Sequence, residues 1–215
     1  MTRLFGVYGA SGCGRGIMPL LRAELAGEDA RLVFVDDAPP SDHINGHAVL
    51  VFDDFIRDEA CSRHVAIAIA NSKVRETLDW RCAAAGVEVI GTRAPNVVIM
   101  DDVEIGAGAL LSPFVAVTSN IRIGRCFHAN LYSYVEHDCV IGDYVTFAPG
   151  VHCNGNVSIG DHAYIGAGAV IRQGLSIGAG ATVGMGAVVT KNVPAGATVA
   201  GNPARPLDKK QDFGP

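Results

Sequence analysis

Apolar residues recur at every sixth position through the C-terminal half of the chain. The series begins at Ile99 and runs without a slip to Val189. All sixteen members are apolar: Ile99, Ile105, Leu111, Val117, Ile123, Ala129, Val135, Ile141, Phe147, Cys153, Ile159, Ile165, Ile171, Ile177, Val183 and Val189. A six-residue period is typical of a β-helix, in which each hexad supplies one short strand and one corner. Glycine follows directly at seven of these positions, and its backbone freedom suits a corner.

The N-terminal half has a different pattern, in which short apolar runs alternate with helical stretches. Four runs predict strands: RLFGVYGA, RLVFVDD, HVAIAIA and VEVI. Two stretches between them predict helices: RGIMPLLRAELAG and SKVRETLDWRCAAAG. This alternation indicates a small parallel sheet with helices on its faces. The sequence therefore predicts two domains, an α/β Rossmann-like domain over residues 1–92 and a β-helix over 93–215 that ends in a C-terminal tail.

The second predicted helix has a recognisable face and recognisable ends. Val74, Leu78 and Cys82 are spaced by four residues, and this spacing predicts that they face the core. Ser72 is the expected N-cap, and Gly86 is the expected stop after the helix.

Composition narrows the class of protein. The 215 residues are 49% hydrophobic and only 18% charged, which is typical of a globular chain with a substantial core. The net charge of −5 disfavours a nucleic-acid partner. No signal peptide and no membrane-spanning run is expected. None of the six cysteines forms a C-x-x-C pair, so we expect reduced thiols in a cytoplasmic protein.

Several motifs resemble a known family. The hexads IGDYVT (141–146) and IGAGAV (165–170) and the ending VAGNPARP (199–206) resemble the hexapeptide-repeat acyltransferases. VYGASGCG, FVDD and AIANSKVR in the N-terminal half, together with EHDCVIG, resemble the NeuD-like N-acetyltransferases of nucleotide-linked amino sugars. The resemblance implies a left-handed parallel β-helix, a solenoid of triangular coils with three hexads each, behind a domain that binds the sugar nucleotide. It also implies acetyl-CoA as co-substrate and a homotrimer.

The turn GASGCGRG is the first candidate binding motif. It follows a predicted strand and opens a predicted helix, where free backbone N–H groups and the helix dipole favour a phosphate. Because residue 11 is serine, the motif is not the usual G-x-G-x-x-G, and a simple tight turn is the alternative. We expect the diphosphate of a sugar nucleotide here. The candidate residues are Gly9, Ser11, Gly12, Cys13 and Gly14.

Asp36 and Asp37 end the next predicted strand. In a doubly wound sheet, a carboxylate at this point can accept hydrogen bonds from a ribose or a base. Both are therefore expected to bind the nucleotide of the substrate.

Four histidines lie in the predicted solenoid, namely His128, His137, His152 and His162. In coils of three hexads, none of them stacks on another. No metal-ligand pattern follows, and no metal is expected.

His137 is the candidate catalytic base. It lies in VEHDCVI, at an outward position of its hexad, and Gly155 follows it one coil later. The imidazole could accept a proton from an attacking amine, while the N–H of Gly155 stabilises the thioester oxyanion. A solvated surface histidine is the alternative.

The neighbours of His137 leave two assignments open. Asp138 or Glu136 could orient the imidazole and raise its basicity. The resemblance favours Asp138, which can reach the ring only if the corner bends the chain. The resemblance also points to Asn130, which matches an asparagine of the family. Asn130 could either bind the sugar or cap a corner of the β-helix.

The resemblance further implies backbone contacts to acetyl-CoA at Gly155, Ala167 and Met185. The last two are one coil apart and should form a track for the pantetheine arm. The chain departs from the family at Cys13 and Thr146, where relatives often carry histidine.

The resemblance implies that the function is acetyl transfer from acetyl-CoA to the 4-amino group of a nucleotide-linked 4-amino-4,6-dideoxy sugar. GDP-perosamine is the first candidate acceptor, for synthesis of a bacterial surface polysaccharide. A UDP-linked 4-amino sugar is an alternative acceptor. A non-catalytic solenoid that binds a sugar nucleotide is the alternative of another class.

Overall fold

The computed structural model describes residues 2–39 and 41–207. The predicted C-terminal tail, from residue 208, lies outside the described residues. The chain divides into two compact units. The first runs to Arg93 and includes Ala107–Leu110, and the second comprises Ala94–Gly106 and the chain from Leu111 on.

The first unit contains a six-stranded sheet whose strand order is β3-β4-β2-β1-β5-β6. The strands are β1 (Arg3–Tyr8), β2 (Ala30–Val35), β3 (His43–Ile44), β4 (His47–Leu50), β5 (Arg63–Ile67) and β6 (Glu88–Val89). β1 pairs in parallel with both β2 and β5, and only the β3–β4 pair is antiparallel. Because β1 is central, its residues Leu4 and Val7 are fully buried. The carboxyl ends of β1 and β2 therefore lie side by side, which is where ligands bind in sheets of this kind.

The three helices of this unit are α1 (Gly12–Glu24), α2 (Phe52–Arg57) and α3 (Ser72–Ala84). The structure corrects the expected cap of α3, since the N-cap is Asn71, whose side-chain oxygen accepts from the N–H groups of Lys73 and Val74. Of the three residues expected to face the core, Cys82 is fully buried and Leu78 packs against the core, but Val74 is 44% exposed. The core side is formed in part by Arg75, which is fully buried and donates to the carbonyl oxygens of Ile69 and Ala70.

The second unit is the predicted left-handed β-helix. After β7 (Thr92–Arg93) in the first unit, the strands are β8 (Val98–Ile99), β9 (Val103–Ile105), β10 (Leu110–Leu111), β11 (Ala116–Val117), β12 (Ile121–Ile123), β13 (His128–Ala129), β14 (Tyr134–Val135), β15 (Val140–Ile141), β16 (Thr146–Phe147), β17 (His152–Cys153), β18 (Ser158–Ile159), β19 (Tyr164–Ile165), β20 (Val170–Ile171), β21 (Ser176–Ile177), β22 (Thr182–Val183), β23 (Val188–Val189), β24 (Thr198–Ala200) and β25 (Arg205–Pro206). From β7 to β20, each strand pairs in parallel with the strand three positions later, whereas β22 pairs with β24, which is antiparallel to β25. Val135 is thus opposite Cys153, and Ile141 is opposite Ile159. The partners of each pair are separated by three hexads, which confirms the length of the predicted coil.

The interior of the solenoid holds two inward positions per hexad. Fourteen of the sixteen residues in the predicted series are buried, and the exceptions, Ile99 and Ile105, belong to the first coil. A second buried column lies two residues before the series, for example at Val151, Val157 and Ala163. The six-residue pattern therefore identified one of the two core columns.

The alternation on β18 generates a stability prediction. Ile159 is 3% exposed, whereas its neighbour Ser158 is exposed on the outer face. We expect Ile159→Ala to lower the free energy of unfolding by about 2–5 kcal/mol, because it removes buried methyl groups and leaves a cavity. Ser158→Ala should change it by no more than about 0.5 kcal/mol. Chemical denaturation at one protein concentration measures both. Equal effects of the two changes would contradict the assignment of faces.

Candidate active site

His137 and Asp138 form a hydrogen-bonded pair at one corner of the β-helix. Nδ1 of His137 lies 2.8 Å from Oδ2 of Asp138, and both side chains are more than half exposed. Consecutive residues of a strand point to opposite faces, but Asp138 has a φ of 59°. This left-handed conformation turns the chain and returns the carboxylate to the ring.

The pair fixes how the imidazole can act. A carboxylate only accepts, so Nδ1 carries the proton and Nε2 presents a lone pair outward. The hydrogen bond that His137 donates to Asp138 is the largest cause that raises the pKa of His137 above its ordinary value, and the charge of Glu136 adds a smaller effect. The same bond, with a second from Asn120, lowers the pKa of Asp138. The ring is therefore a stronger base than a free histidine and is held in one tautomer.

Gly155 lies directly against the imidazole. A β-carbon placed on Gly155 would lie 2.5 Å from Cε1 and 2.6 Å from Nε2 of His137, which no real contact allows. The adjacent N–H of Asn156 donates to the carbonyl oxygen of His137 at 2.7 Å and keeps the two corners together. Among the described residues, the N–H of Gly155 has no hydrogen-bond partner. The corner thus combines a base and a free backbone donor.

Two other polar neighbours of His137 have distinct environments. Glu136 is half-buried, and its carboxylate makes no hydrogen bond within the described chain, so Asp138 is the ring's partner in this structure. Asn130 donates from Nδ2 to the carbonyl oxygen of Phe147 at 2.7 Å. This contact caps a corner. It leaves the side-chain oxygen of Asn130 without a partner in the part of the chain described.

Ala167 and Met185 lie on successive coils. The N–H of Gly186 donates to the carbonyl oxygen of Ala167 at 2.8 Å, which stacks the two corners. The N–H groups of Ala167 and Met185 have no partner within residues 2–39 and 41–207, and Met185 is 81% exposed. They form two free donors one coil apart.

The turn between β1 and α1 in the first unit is tightly packed. Gly9 has a φ of 103°, and a β-carbon on Gly14 would lie 1.7 Å from the carbonyl oxygen of Gly9. Ser11 is the N-cap of α1 but makes no side-chain cap, and the space around Gly12 is open. Cys13 is half-buried against the apolar core, and burial raises its pKa. An anion at this turn would therefore meet backbone N–H groups and the Ser11 hydroxyl, with the Cys13 thiol turned to the core.

Asp36 and Asp37 both anchor local structure. The carboxylate of Asp36 accepts from the N–H groups of Ala10, at 2.9 Å, and Ala38, at 3.0 Å. That of Asp37 accepts from the hydroxyl of Tyr8 at 2.6 Å and from Arg81 at 2.5 Å. These contacts lower the pKa of Asp37, although desolvation, the largest single influence, acts the other way.

Sequence reasoning missed Tyr8 and Arg81. Arg81 also lies 4.2 Å from the centre of the Phe52 ring, and burial, followed by the hydrogen bond to Asp37, raises the pKa of Tyr8. The residues come from β1, α2 and α3, and no spacing in the sequence joins them.

Within residues 2–39 and 41–207, no group of three or more His, Cys, Asp or Glu side chains could hold a metal ion. In the same residues, no helix has both the length and the apolar character that crossing a membrane requires.

A left-handed β-helix with a paired histidine over a glycine defines the class of hexapeptide-repeat acyltransferases. Residues 156–191 match the hexapeptide repeat of succinyl-transferase, and residues 5–79 match the PglD N-terminal domain. The chain is 51% identical, over 96% of its length and 97% of the relative's, to GDP-perosamine N-acetyltransferase of Escherichia coli O157:H7. It therefore belongs to the family of hexapeptide-repeat N-acetyltransferases that carry a PglD-type N-terminal domain.

Solved structures agree with this membership. WeeI from Acinetobacter baumannii AYE superposes with a TM-score of 0.92 at 56% identity, covering 95% of this chain and 100% of that one. The acetyltransferase domain of PglB from Neisseria gonorrhoeae FA1090, in complex with acetyl coenzyme A, superposes with a TM-score of 0.86 at 31% identity, covering 96% and 100%.

The pairing of His137 with Asp138 predicts a measurable pKa change. Asp138→Asn removes the negative charge that stabilises the imidazolium, so the pKa of His137 should fall towards the ordinary histidine value. Glu136→Gln, the matched control, should lower it less. An NMR titration of the His137 ring protons reads both values. A larger fall in Glu136→Gln would show that Glu136 is the effective partner.

Proposed function

We propose that this protein transfers the acetyl group of acetyl-CoA to the 4-amino group of GDP-perosamine or a closely similar GDP-linked 4-amino-4,6-dideoxy sugar. The observation that carries the proposal is the corner at which His137, held by Asp138, lies over Gly155. The 51%-identical relative named for this reaction and the acetyl-CoA complex of a 31%-identical structure support the two substrates.

The reaction that this corner supports is a direct acyl transfer. The neutral sugar amine attacks the thioester carbonyl, and Nε2 of His137 accepts a proton from it. The N–H of Gly155 stabilises the oxyanion that forms. The C–N bond is then complete, the C–S bond breaks, and the CoA thiolate takes up the proton. Asp138 keeps the ring in its tautomer and stabilises the imidazolium between these steps.

A covalent acyl-enzyme finds no support in the side chains near the corner. Cys139 and Cys153 are fully buried in the solenoid core. The Cys139 thiol accepts a hydrogen bond from the N–H of Val157 at 3.4 Å and contacts the carbonyl oxygen of Asn154 at 3.3 Å. A thiol engaged in this way has no access to the thioester.

We assign the binding of the nucleotide to the α/β domain at residues 1–92. The turn from Gly9 to Gly14 offers backbone N–H groups at the start of the 13-residue helix α1, where a diphosphate is favoured. Asp36 and Asp37 follow β2 at the adjacent strand end and retain lone pairs for ribose or base hydroxyl and amino groups. We assign acetyl transfer to the β-helix domain at 93–215.

The acetyl-CoA arm is proposed to follow the free N–H groups of Gly155, Ala167 and Met185. Ala167 and Met185 are one coil, about 4.8 Å, apart, and their N–H groups can donate to carbonyl oxygens of an extended pantetheine arm. Asn130 is proposed to accept a hydrogen bond from the sugar through its unpaired side-chain oxygen.

Homotrimeric assembly and a cytoplasmic location are also proposed. The location is proposed because all six cysteines are free thiols.

The alternatives differ in the acceptor or in the class of protein. A UDP-linked 4-amino sugar would use the same chemistry with another base in the nucleotide site. A non-catalytic solenoid that binds a sugar nucleotide would release no CoA thiol with any substrate.

Removal of the proposed base is the first test. His137→Ala should reduce CoA thiol release from acetyl-CoA and GDP-perosamine by ~10²–10⁴-fold. Ser158→Ala, on the same solenoid, should retain full turnover. The same assay with UDP-linked 4-amino sugars on the unchanged protein separates the two acceptors, and lower turnover is expected there. Near-normal turnover of His137→Ala, with the thermal unfolding curve unchanged, would refute the role of this histidine.

Filling the space over Gly155 is the second test. A β-carbon in Gly155→Ala would displace the His137 ring, and misplacement of a catalytic group by about 1 Å costs on the order of 10²-fold in rate. Ser158→Ala is the control, because it changes an exposed side chain on the outer face of the same solenoid. Steady-state kinetics with matched unfolding curves compare them. Equal rates would contradict the close approach.

A further inference from the structure

We propose that Asn120 is a positioning residue for the catalytic pair, which it serves by holding the carboxylate of Asp138 in the orientation that binds His137. The inference rests on the proposed catalytic role of His137. It extends the pair to a chain of three side chains that come from two adjacent coils.

Each oxygen of Asp138 has its own partner. Nδ2 of Asn120 lies 3.2 Å from Oδ1 of Asp138, and Nδ1 of His137 lies 2.8 Å from Oδ2. An amide NH₂ donates and a carboxylate accepts, so both bonds form at once without competition. Rotation of the Asp138 side chain about its Cα–Cβ bond would break both of them.

The coil supplies this geometry. Asn120 precedes Asp138 by one coil, and both lie at left-handed corners with a φ of 59°. The N–H of Asp138 donates to the carbonyl oxygen of Ser119 at 3.1 Å, and this bond holds the corners of the two adjacent coils in register. Asn and Asp are the non-glycine residues that adopt this conformation most readily. The two side chains therefore leave the backbone at equivalent points of adjacent coils and meet.

Exposure determines what Asn120 contributes. Asp138 is about half exposed to solvent, so water can replace the charge stabilisation that the amide provides. Water does not fix a side-chain rotamer. The groups that act electrostatically on His137 are Asp138, Glu136 and Cys139, and only Asp138 reaches the ring with a hydrogen bond. Loss of Asn120 should therefore affect the ring through the orientation of Asp138.

The chain offers a matched control at the next coil. Asn156 follows Asp138 by one coil and lies at the same kind of corner, with a φ of 54°. Its side chain makes no hydrogen bond within the described residues. Replacement of either asparagine by glycine keeps the left-handed conformation accessible, so the two variants differ only in the contact to Asp138.

The experiment compares Asn120→Gly and Asn156→Gly in the full-length protein. Asn120→Gly should lower kcat for acetyl transfer by about tenfold, the size expected for loss of one hydrogen bond to a charged group. The pKa of His137, read by NMR without substrate, should fall in the same variant. Asn156→Gly, which keeps the backbone N–H that binds the carbonyl oxygen of His137, should lower both quantities less than Asn120→Gly does. Equal loss in the two variants would assign the effect to the corner alone and overturn the proposal.

A double-mutant cycle separates positioning from direct contact with substrate. In an Asp138→Gly background, Asn120→Gly should cause no further loss of kcat, because its effect passes through Asp138. A full additional tenfold loss in that background would overturn the proposal.

The two failures are distinguishable. If His137→Ala is inactive while Asn120→Gly has normal kcat and a normal His137 pKa, only the role of Asn120 is refuted. If His137→Ala is active, the catalytic assignment fails whatever the Asn120 variant does.

Discussion

The backbone ladder between adjacent coils is the constraint on which the active corner depends. Each coil returns to its starting corner after three hexads, and each strand pairs with the strand one coil later. The ladder places equivalent residues about 4.8 Å apart. Side chains that are far apart in sequence thereby become neighbours. The chemistry of a side chain therefore depends on the residues at the equivalent positions of the adjacent coils as well as on its neighbours in sequence.

The corner at His137 shows what this register provides. One coil before Asp138 lies Asn120, and one coil after His137 lies Gly155. The Asn120 amide, the His137–Asp138 pair and the unobstructed backbone of Gly155 are therefore contributed by three successive coils. A slip of one residue in the hexad series would separate all of them. The uninterrupted core series is thus a requirement for the proposed catalytic corner as much as for stability.

The sequence predicted this solenoid well because its signal is periodic and repeated. It predicted one core column and not the other, since the second includes small or polar residues such as Ser133 and Ala163, which do not stand out as apolar. The predicted core face of α3 was right for Leu78 and Cys82 and wrong for Val74, because the helix instead buries the charged residue Arg75, which donates to backbone carbonyl groups. A buried arginine has no signature in a hydrophobicity pattern.

The site was predictable to the extent that it follows from the coil length. Gly155 beside His137 follows from a separation of one coil, and the same arithmetic would have found Asn120. The bend at Asp138 depends on one backbone angle, which a sequence does not state. The contacts of Tyr8 and Arg81 with Asp37 join distant elements of the α/β sheet, and only tertiary structure brings them together.

The proposed reaction requires that Nε2 of His137 accept the proton of the acceptor amine. A crystal structure with CoA and GDP-perosamine bound tests it most directly, through the distance between the 4-amino nitrogen and Nε2. If Nε2 is the base, the 4-amino nitrogen should lie about 2.6–3.2 Å from it, within hydrogen-bond reach. An amine that lies beyond that reach of Nε2, with no water between them, and against another base would contradict it.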